Sequence, residues 1–592
     1  MSGDSKKLRQ FWQELKRRRV IHVITVYASA AFVIIELVGN LADPLNLPPS
    51  LPTIVIIVLA VGFPLAVILS WIYDLTSEGV EKTKPLDEIE DGAKRTIPNA
   101  WKIATIVSFV VILGLVTYNI VRGTRGLGSR DIKSLVILPF NNFTGDDRLD
   151  WASAAMHSIL NSDMGKVSGL RVLSNTTSIA IKEAKLTATE INEKYNVDGV
   201  LETDLTCYGD MVCGRIRMIR TYPEEEVLWE EEFVENKSQL LIFTNRIIKE
   251  ASKKLKVRLT PQEENLLAEA GEINPVAYDA YLGGRYIMDQ SDYQSMPAAI
   301  DSFKKAIEIE PEWAAPHGGL AELGIRLNHF VIGPPPDYLR MAYDNLLTAL
   351  ELDPNSVESH YARALTAYWV ELDWDKAEQE FQNAIDLNPS HERSHGFYAD
   401  MLSKLRKTDE ALYHGKRSEE LDPENPFTLA IYAWVLLENG KCQEALYYTE
   451  KGLSISPEHP IFPTISIYEC LGDYDKAFEA WKGRLYPLWK KFGVADIFEK
   501  AFREHGWIAF IKEQIKVDEE YCKEDTITHG WRLAGKYVTI GKYDKAMDIY
   551  ETLYNNNNHD TRFPQISAKP TYDKMKGNPR YLALLKKLNL PT

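Results

Sequence analysis

Ala306-Ile-Glu-Ile-Glu-Pro311 is followed by Ala349-Leu-Glu-Leu-Asp-Pro354, Ala384-Ile-Asp-Leu-Asn-Pro389, Ser418-Glu-Glu-Leu-Asp-Pro423 and Gly452-Leu-Ser-Ile-Ser-Pro457. The closing prolines are 43, 35, 34 and 34 residues apart. Upstream of each, a small residue precedes a large one by four: Ala299/Phe303, Ala342/Leu346 and Ala377/Phe381, with weaker copies at Ala411 and Ala445. The small residue lets two antiparallel helices approach, and the large one fills the space between them. Proline then ends the second helix, because it lacks the N–H that a further turn needs. One such hairpin cannot bury its apolar face alone, so the hairpins must stack into a solenoid with a concave surface.

Working outward, Gly333-Pro-Pro-Pro-Asp337 accounts for the extra residues in the 43 spacing as a loop inside one repeat. Leu471-Gly-Asp-Tyr474 and Ile540-Gly-Lys-Tyr543 supply the same turn 69 residues apart, so a degenerate repeat is expected over Trp489–Tyr521. This is the 34-residue tetratricopeptide (TPR) pattern, and the reading extends it over 270–592. The tail, from Tyr572 to Pro591, resembles the closing segment of that family and is expected to cap the open end of the solenoid.

Before the repeats, residues 131–260 read as a small α/β unit. Ser134–Phe140 is a β-branched run of the kind found in buried strands. A turn at Gly145-Asp-Asp147 leads to a helix over Leu149–Val167, then a short strand Leu170–Leu173. Thr187–Tyr195 is helical, with Thr187 and Glu190 at capping-box spacing. Strands are expected at Val197–Thr206, Val212–Thr221 and Val227–Val234, with a tight turn at Tyr208-Gly-Asp210, and a helix from Ser238 to about Leu259. The order β-α-β-α-β-β-β-α gives a mixed sheet covered by helices. The stretches Ser134–Phe143, Gly169–Val172, Val197–Glu202 and Leu228–Phe233 resemble the TolB amino-terminal-like domain. That domain occurs in bacterial membrane-anchored tetratricopeptide proteins and beside some adenylate cyclases. The front of the chain (Phe11–Arg18, Gly62-Phe-Pro64, Leu75–Gly79) is similar to those proteins too. The resemblance implies an envelope-facing binding module rather than a reaction, and no cyclase catalytic domain is visible in the sequence.

The first 130 residues hold 15 Lys and Arg against 11 Asp and Glu, whereas the remaining chain carries a net charge of −20. So acidic a body is a poor nucleic-acid binder, because phosphate contacts need clustered cations. Three apolar stretches, Val20–Leu41, Pro52–Tyr73 and Ile103–Val121, each meet the ~20 residues that a membrane-spanning helix needs. Lys and Arg crowd the 1–19 tail and the Asp74–Lys102 loop, which places both in the cytoplasm. Arg122, Arg125, Arg130 and Lys133 argue the other way and are outnumbered. The expectation is a three-helix anchor in a bacterial inner membrane with residues 122–592 in the periplasm. Glu36, inside the first span, reads as a carboxylate that snorkels to the interface, and Pro64 as a tolerated kink.

Candidate chemistry is sparse. His391-Glu-Arg-Ser-His395 matches the H-E-x-x-H zinc motif, in which both histidines share a helix face and the glutamate is the base. Its register argues otherwise. His317, His360 and His395 each stand six residues after a repeat proline (Pro311, Pro354, Pro389), so His395 fills a repeat position. Gly440-Lys441 is followed by Cys442, not by the Ser or Thr of a phosphate loop, and there is no C-x2-C pair or G-x-S-x-G elbow. Gly123–Gly128 reads as linker and Glu224–Glu226 as a solvated turn. Catalytic, cofactor and metal residues are therefore expected to be none. Cys207 and Cys213 flank the hairpin turn, either bridged across it or as two separate thiols.

The sequence thus predicts a scaffold that holds protein or peptide partners along a concave repeat surface, with the α/β domain as a second docking face. A transmembrane sensor working through a separate partner is the alternative, and a zinc hydrolase at His391/His395 the remote one. Whether copies of the chain associate stays open.

Overall fold

The computed structural model describes residues 132–592, except for 146–149, 168, 207–210, 223, 237–239, 256–272, 290–295, 331–336, 458–460, 525 and 557–561. In 1–131 it describes twelve helical positions between 23 and 66 and the strand pair at 73–82. The chain divides into two compact units, 1–130 and 131–592.

In the first unit, the described positions of 23–38 and 55–66 are helical, and the Tyr27 hydroxyl donates to the Leu59 carbonyl at 2.8 Å. A side chain at residue 62 would strike that hydroxyl, which explains the glycine there. The second apolar stretch does not continue to Tyr73 as a helix. Tyr73–Thr76 (β1) pairs antiparallel with Gly79–Lys82 (β2). The third apolar stretch and the basic 1–19 tail lie outside the described residues. Among the described residues, no helix is long and apolar enough to cross a membrane.

The second unit opens with a mixed sheet of β3 (Ser134–Ile137), β4 (Asn141–Asn142), β5 (Arg171–Val172), β6 (Gly199–Leu205), β7 (Met211–Arg220) and β8 (Glu226–Asn236). The order is β5-β3-β6-β7-β8, with β4 also on β6; β3, β4 and β5 run parallel to their neighbours and the last three are antiparallel. Alternation along β3 sends Leu135 and Ile137 to one face and Val136 to the other. The first face packs on α1 (Asp150–Gly165), and also receives Ile247 and Ile248 of a helix that follows the sheet, Leu240–Lys254. The second face packs on α2 (Asn175–Glu183) and α3 (Ala188–Tyr195), with Ile181 and Ile191 buried beside Val136. The capping box of α3 is formed by Thr187 and Glu190. Two elements were not expected: β4, and α2, which starts on a Ser174 cap. The helix Leu240–Lys254 is α4.

From residue 275 the unit is all helical. Four hairpins lead: α5 (Pro275–Asp289) with α6 (Met296–Ile309), α7 (Ala314–Phe330) with α8 (Asp337–Leu352), α9 (Val357–Thr366) with α10 (Trp374–Leu387), and α11 (Glu392–Lys404) with α12 (Thr408–Leu421). Then come α13 (Pro426–Glu438) with α14 (Cys442–Ile455), and α15 (Thr464–Leu471) with α16 (Tyr474–Lys491). α17 (Ala495–Glu524), α18 (Thr526–Thr539) and α19 (Tyr543–Asn556) follow. The small residues of the repeat pattern are buried: Ala299, Ala377, Ala411 and Ala445 are fully covered, as are the large residues Phe303 and Phe381. A Cβ at Gly284 or Gly319 would come within 2.7 Å of the Phe303 ring, so the neighbouring helices close on that ring only because they carry glycine.

The stretch expected to hold a degenerate repeat, Trp489–Tyr521, starts on the last turn of α16 and runs through α17, which is two helices joined across a kink at Gly506, whose φ of 77° only glycine adopts without strain. The 333–336 part of the insertion loop lies outside the described residues. The tail covers the last hairpin, Arg580 pairing with Asp548 and Glu551 of α19, and it also reaches further back. α20 (Gln565–Ala568), a 3-10 turn (Pro570–Met575) and α21 (Pro579–Lys587) fold back onto earlier repeats. The Trp374 indole donates to the Leu588 carbonyl at 3.0 Å, across 214 residues, and the Ser567 hydroxyl donates to the Lys404 carbonyl at 2.9 Å.

Candidate partner-binding groove

The inner surface is built by the first helix of each hairpin. A near-constant period brings the same helical position to that surface once per repeat, so Trp369, Lys404 and Glu438, 35 and 34 residues apart, form one ladder. Phe397 and Ile431 form another, as do Asp400 and Trp434, both 34 apart. At Trp369 the helix α9 passes into a π-turn, Ala367–Glu371, an irregularity often found at functional positions. The ring stacks on His329 with centroids 3.8 Å apart and meets Phe397 edge-on at 5.2 Å. These residues, with Asp400, Lys404, Trp434, Glu438, Phe462, Arg484 and Arg562, surround a cavity of about 380 Å³.

Its floor is charged and fully paired. Lys404, 3% exposed, donates to Asp400 at 2.8 Å and to Glu438 at 2.5 Å. Burial opposes its charge, but the two carboxylates hold the ammonium above its ordinary range. The tail closes one side: Lys569 lies 5.4 Å from the Trp434 ring, and Arg406 pairs with Asp573 at 2.7 Å. A groove of stacked aromatics over paired charges can grip an extended chain by apolar anchors and order its polar groups around them.

The opposite margin is held by the α/β part of the same unit. The turns after α10 and α12 meet the edge strand β5 and the start of α2. Val172 N–H donates to the Ser390 hydroxyl at 3.1 Å, and Ser174 N–H to the Leu421 carbonyl at 2.8 Å. Asp422, 1% exposed, accepts from Ser174, from Thr177 at 3.0 Å and from Thr428 at 3.0 Å. Tyr195 and Lys194 both reach Glu424 at 3.0 Å. The α/β domain therefore spends this edge on its own repeats. Nearby, Glu322, 2% exposed, sits among Arg393 at 3.1 Å, Arg326 at 3.3 Å and Arg285 at 3.4 Å. Burial pushes its carboxyl up, and the three guanidiniums override that, holding it at about 2.

The zinc reading fails on geometry. His391 is not on the helix. It is the N-cap of α11, accepting from Ser394 N–H, and its ring cannot share a helical face with His395. His395 donates from Nε2 to the Pro389 carbonyl at 3.2 Å and faces His414 Nδ1 at 2.9 Å. His317 and His360 make the same bond, to Pro311 at 3.2 Å and Pro354 at 2.8 Å, so the repeat histidine ties the first helix of a hairpin to the preceding proline turn. Among the described residues, no group of three or more His, Cys, Asp or Glu could hold a metal.

The cysteines resolve differently from expectation. Cys442 and Cys470 form a disulfide between α14 and α15, with Cα atoms 6.2 Å apart, a pairing that nothing in the spacing announced. Cys213 is disulfide-bonded. That excludes the reading of Cys213 as a separate thiol, and residue 207 lies outside the described residues. Cys522 is in no disulfide.

No family model matches the chain. A protein of Rhizobium meliloti (strain 1021), named as a candidate adenylate cyclase, is 26% identical over 240 residues. The match covers 40% of this chain, which itself spans only about two fifths of that relative's length. Among solved structures, a thermophilic TPR protein of Thermus thermophilus is 17% identical, covering 34% of this chain and 98% of its own, with a TM-score of 0.27. The Pseudomonas aeruginosa pilF protein is 18% identical, covering 36% and 92%, with a TM-score of 0.28. A lipoprotein of Neisseria meningitidis is 16% identical, covering 20% and 96%, with a TM-score of 0.16. The repeat assignment rests on the buried Ala–Phe pairs and the proline-turn histidines described above.

Proposed function

We propose that this protein is a scaffold whose concave repeat surface binds an extended segment of a protein partner, and that its front segment anchors it in a bacterial inner membrane with the repeats in the periplasm. The observation that carries the binding half is the 380 Å³ cavity of stacked aromatics over paired charges on the inner face. Support for the location comes from the three apolar stretches, the cytoplasmic charge bias of their flanks and the Cys442–Cys470 bridge, which suits an oxidising compartment.

The test uses the full chain in cells with a photo-reactive amino acid at Gln565, which lines the cavity, or at Tyr413, 64% exposed on the second helix of its hairpin. A protein crosslinked from position 565 and not from 413 is expected. No adduct at 565, or the same adducts at both positions, overturns the groove reading. For location, Tyr413→Cys in a Cys522→Ser background should react with a membrane-impermeant maleimide added to spheroplasts. Labelling only after lysis would put the repeats in the cytoplasm.

A further inference from the structure

A second cavity, of about 630 Å³, lies between the last repeats and the returning tail. It adjoins the groove, sharing Arg562 and Gln565 with it, but its other walls differ in kind. Trp481, Trp489, Trp507 and Trp531 line it, which is four of the 13 tryptophans in the chain. Its size falls within the ~300–1,000 Å³ of small-molecule sites. Five cationic residues line it against a single carboxylate, Glu469. Glu469 already accepts from the Trp507 indole at 3.2 Å, and burial pushes its carboxyl up, toward the neutral form.

One polar group at this cavity is unsatisfied, and one cation there makes no ion pair among the described residues. Gln514 is 4% exposed and its amide Nε2 has no hydrogen-bond partner. A buried amide donor without an acceptor costs about 1–3 kcal/mol and calls for something to accept from it. Lys569, carried in by the tail, makes no ion pair among the described residues; its ammonium lies 5.4 Å from the Trp434 ring, and the charges of Glu438 and Glu469 act on it from further away. By contrast Lys536, on the same wall, is paired with Asp518 at 2.7 Å. Burial pulls the Lys569 ammonium below its ordinary range in spite of those two carboxylates.

We propose that this cavity binds a small organic anion with a flat, aromatic body, its carboxylate held by Lys569 and Gln514 and its body stacked among the tryptophans. Indole walls favour a flat ring, and a cation with an amide donor favours a carboxylate over a neutral group. Because Lys569, Pro570 and Tyr572 belong to the tail, the bound anion also fastens the tail to the repeats. The inference needs no macromolecular partner, so it stands or falls apart from the scaffold reading.

The test is calorimetric titration of the full chain in detergent with 2-naphthoate and, separately, with neutral 2-naphthamide, followed also by tryptophan fluorescence. Saturable binding of one naphthoate per chain is expected, about tenfold or more tighter than the amide, the value of one charge-assisted hydrogen bond. Lys569→Met should abolish that preference, Lys569→Arg should keep it, and Gln514→Leu should weaken naphthoate several-fold. Absence of saturable binding, equal affinity for acid and amide, or a preference that survives Lys569→Met overturns the proposal. Where Lys569→Met fails to melt cooperatively, Gln514→Leu decides: unchanged naphthoate affinity then rejects the site.

Discussion

The two margins of the groove are closed in different ways. On the α/β side, the contacts are backbone hydrogen bonds and a buried carboxylate: Ser174 N–H to the Leu421 carbonyl, Val172 N–H to Ser390, and Asp422 beneath both Ser174 and Thr177. On the tail side they are single side-chain bonds and ring contacts around two cavities. Parting the first would expose paired polar groups, whereas parting the second would expose Phe563, Ile566, Tyr572, Met575 and Tyr581, which are buried in the repeat core. The difference teaches that the α/β domain is a wall held by polar contacts, and the tail one held by apolar contacts.

That contrast can be broken most severely at Glu322. Glu322→Gln leaves buried Arg326 and half-buried Arg285 and Arg393 facing one neutral amide, and should cost about 3–5 kcal/mol of unfolding free energy in a denaturant melt. Because its native carboxyl is held at about 2, its contribution is complete above the ordinary carboxylate range and is lost only as pH falls through about 2. Asp422→Ala comes next. It orphans three hydroxyls, of Ser174, Thr177 and Thr428, and should cost about 3 kcal/mol, with faster amide exchange across 171–178. If the exchange rises at the tail instead, Asp422 does not hold the α/β margin.

A smaller effect is expected from pH. Burial holds His157, His391 and His414 at about 4 and His395 at about 3, all below the ordinary imidazole value. These groups favour the neutral form when folded, so their stabilisation is present above about 6.5 and is lost as pH falls toward 4. Glu380 raises His360, which acts oppositely: its contribution is full below that ordinary value and fades as pH rises through the folded one. The net expectation is a fall in melting temperature between pH 6.5 and 4, and a flat profile there would refute it. The mildest test is Ser567→Ala, which removes one tail bond and should cost about 1 kcal/mol, read as faster exchange in 562–590 with the α/β margin unchanged.

The repeats were legible because Ala, Phe and Pro recur with a fixed period and each has a steric job at its place. The histidine register was legible for the same reason, and it exposed the zinc motif as a coincidence. What stayed hidden lacked periodicity. The segment Asn175–Glu183 has several Thr and Ser residues and little apolar contrast, and becomes helical through its Ser174 cap and the repeats it touches. The Cys442–Cys470 bridge joins successive hairpins, so its spacing of 28 matches no short motif. The docking of the tail depends on partners 163 and 214 residues away in sequence. The groove ladder could have been found by projecting each repeat onto one period, since Trp369, Lys404 and Glu438 then fall together; the second cavity, made jointly by the tail and α17, could not.

The bond between Trp374 and the Leu588 carbonyl has a consequence for synthesis on the ribosome. A stack of hairpins can grow from its first member outward as the chain emerges, but this one is not finished when its last hairpin is in place. Until residue 588 has left the exit tunnel, the Trp374 indole lacks the acceptor that it has in the finished fold.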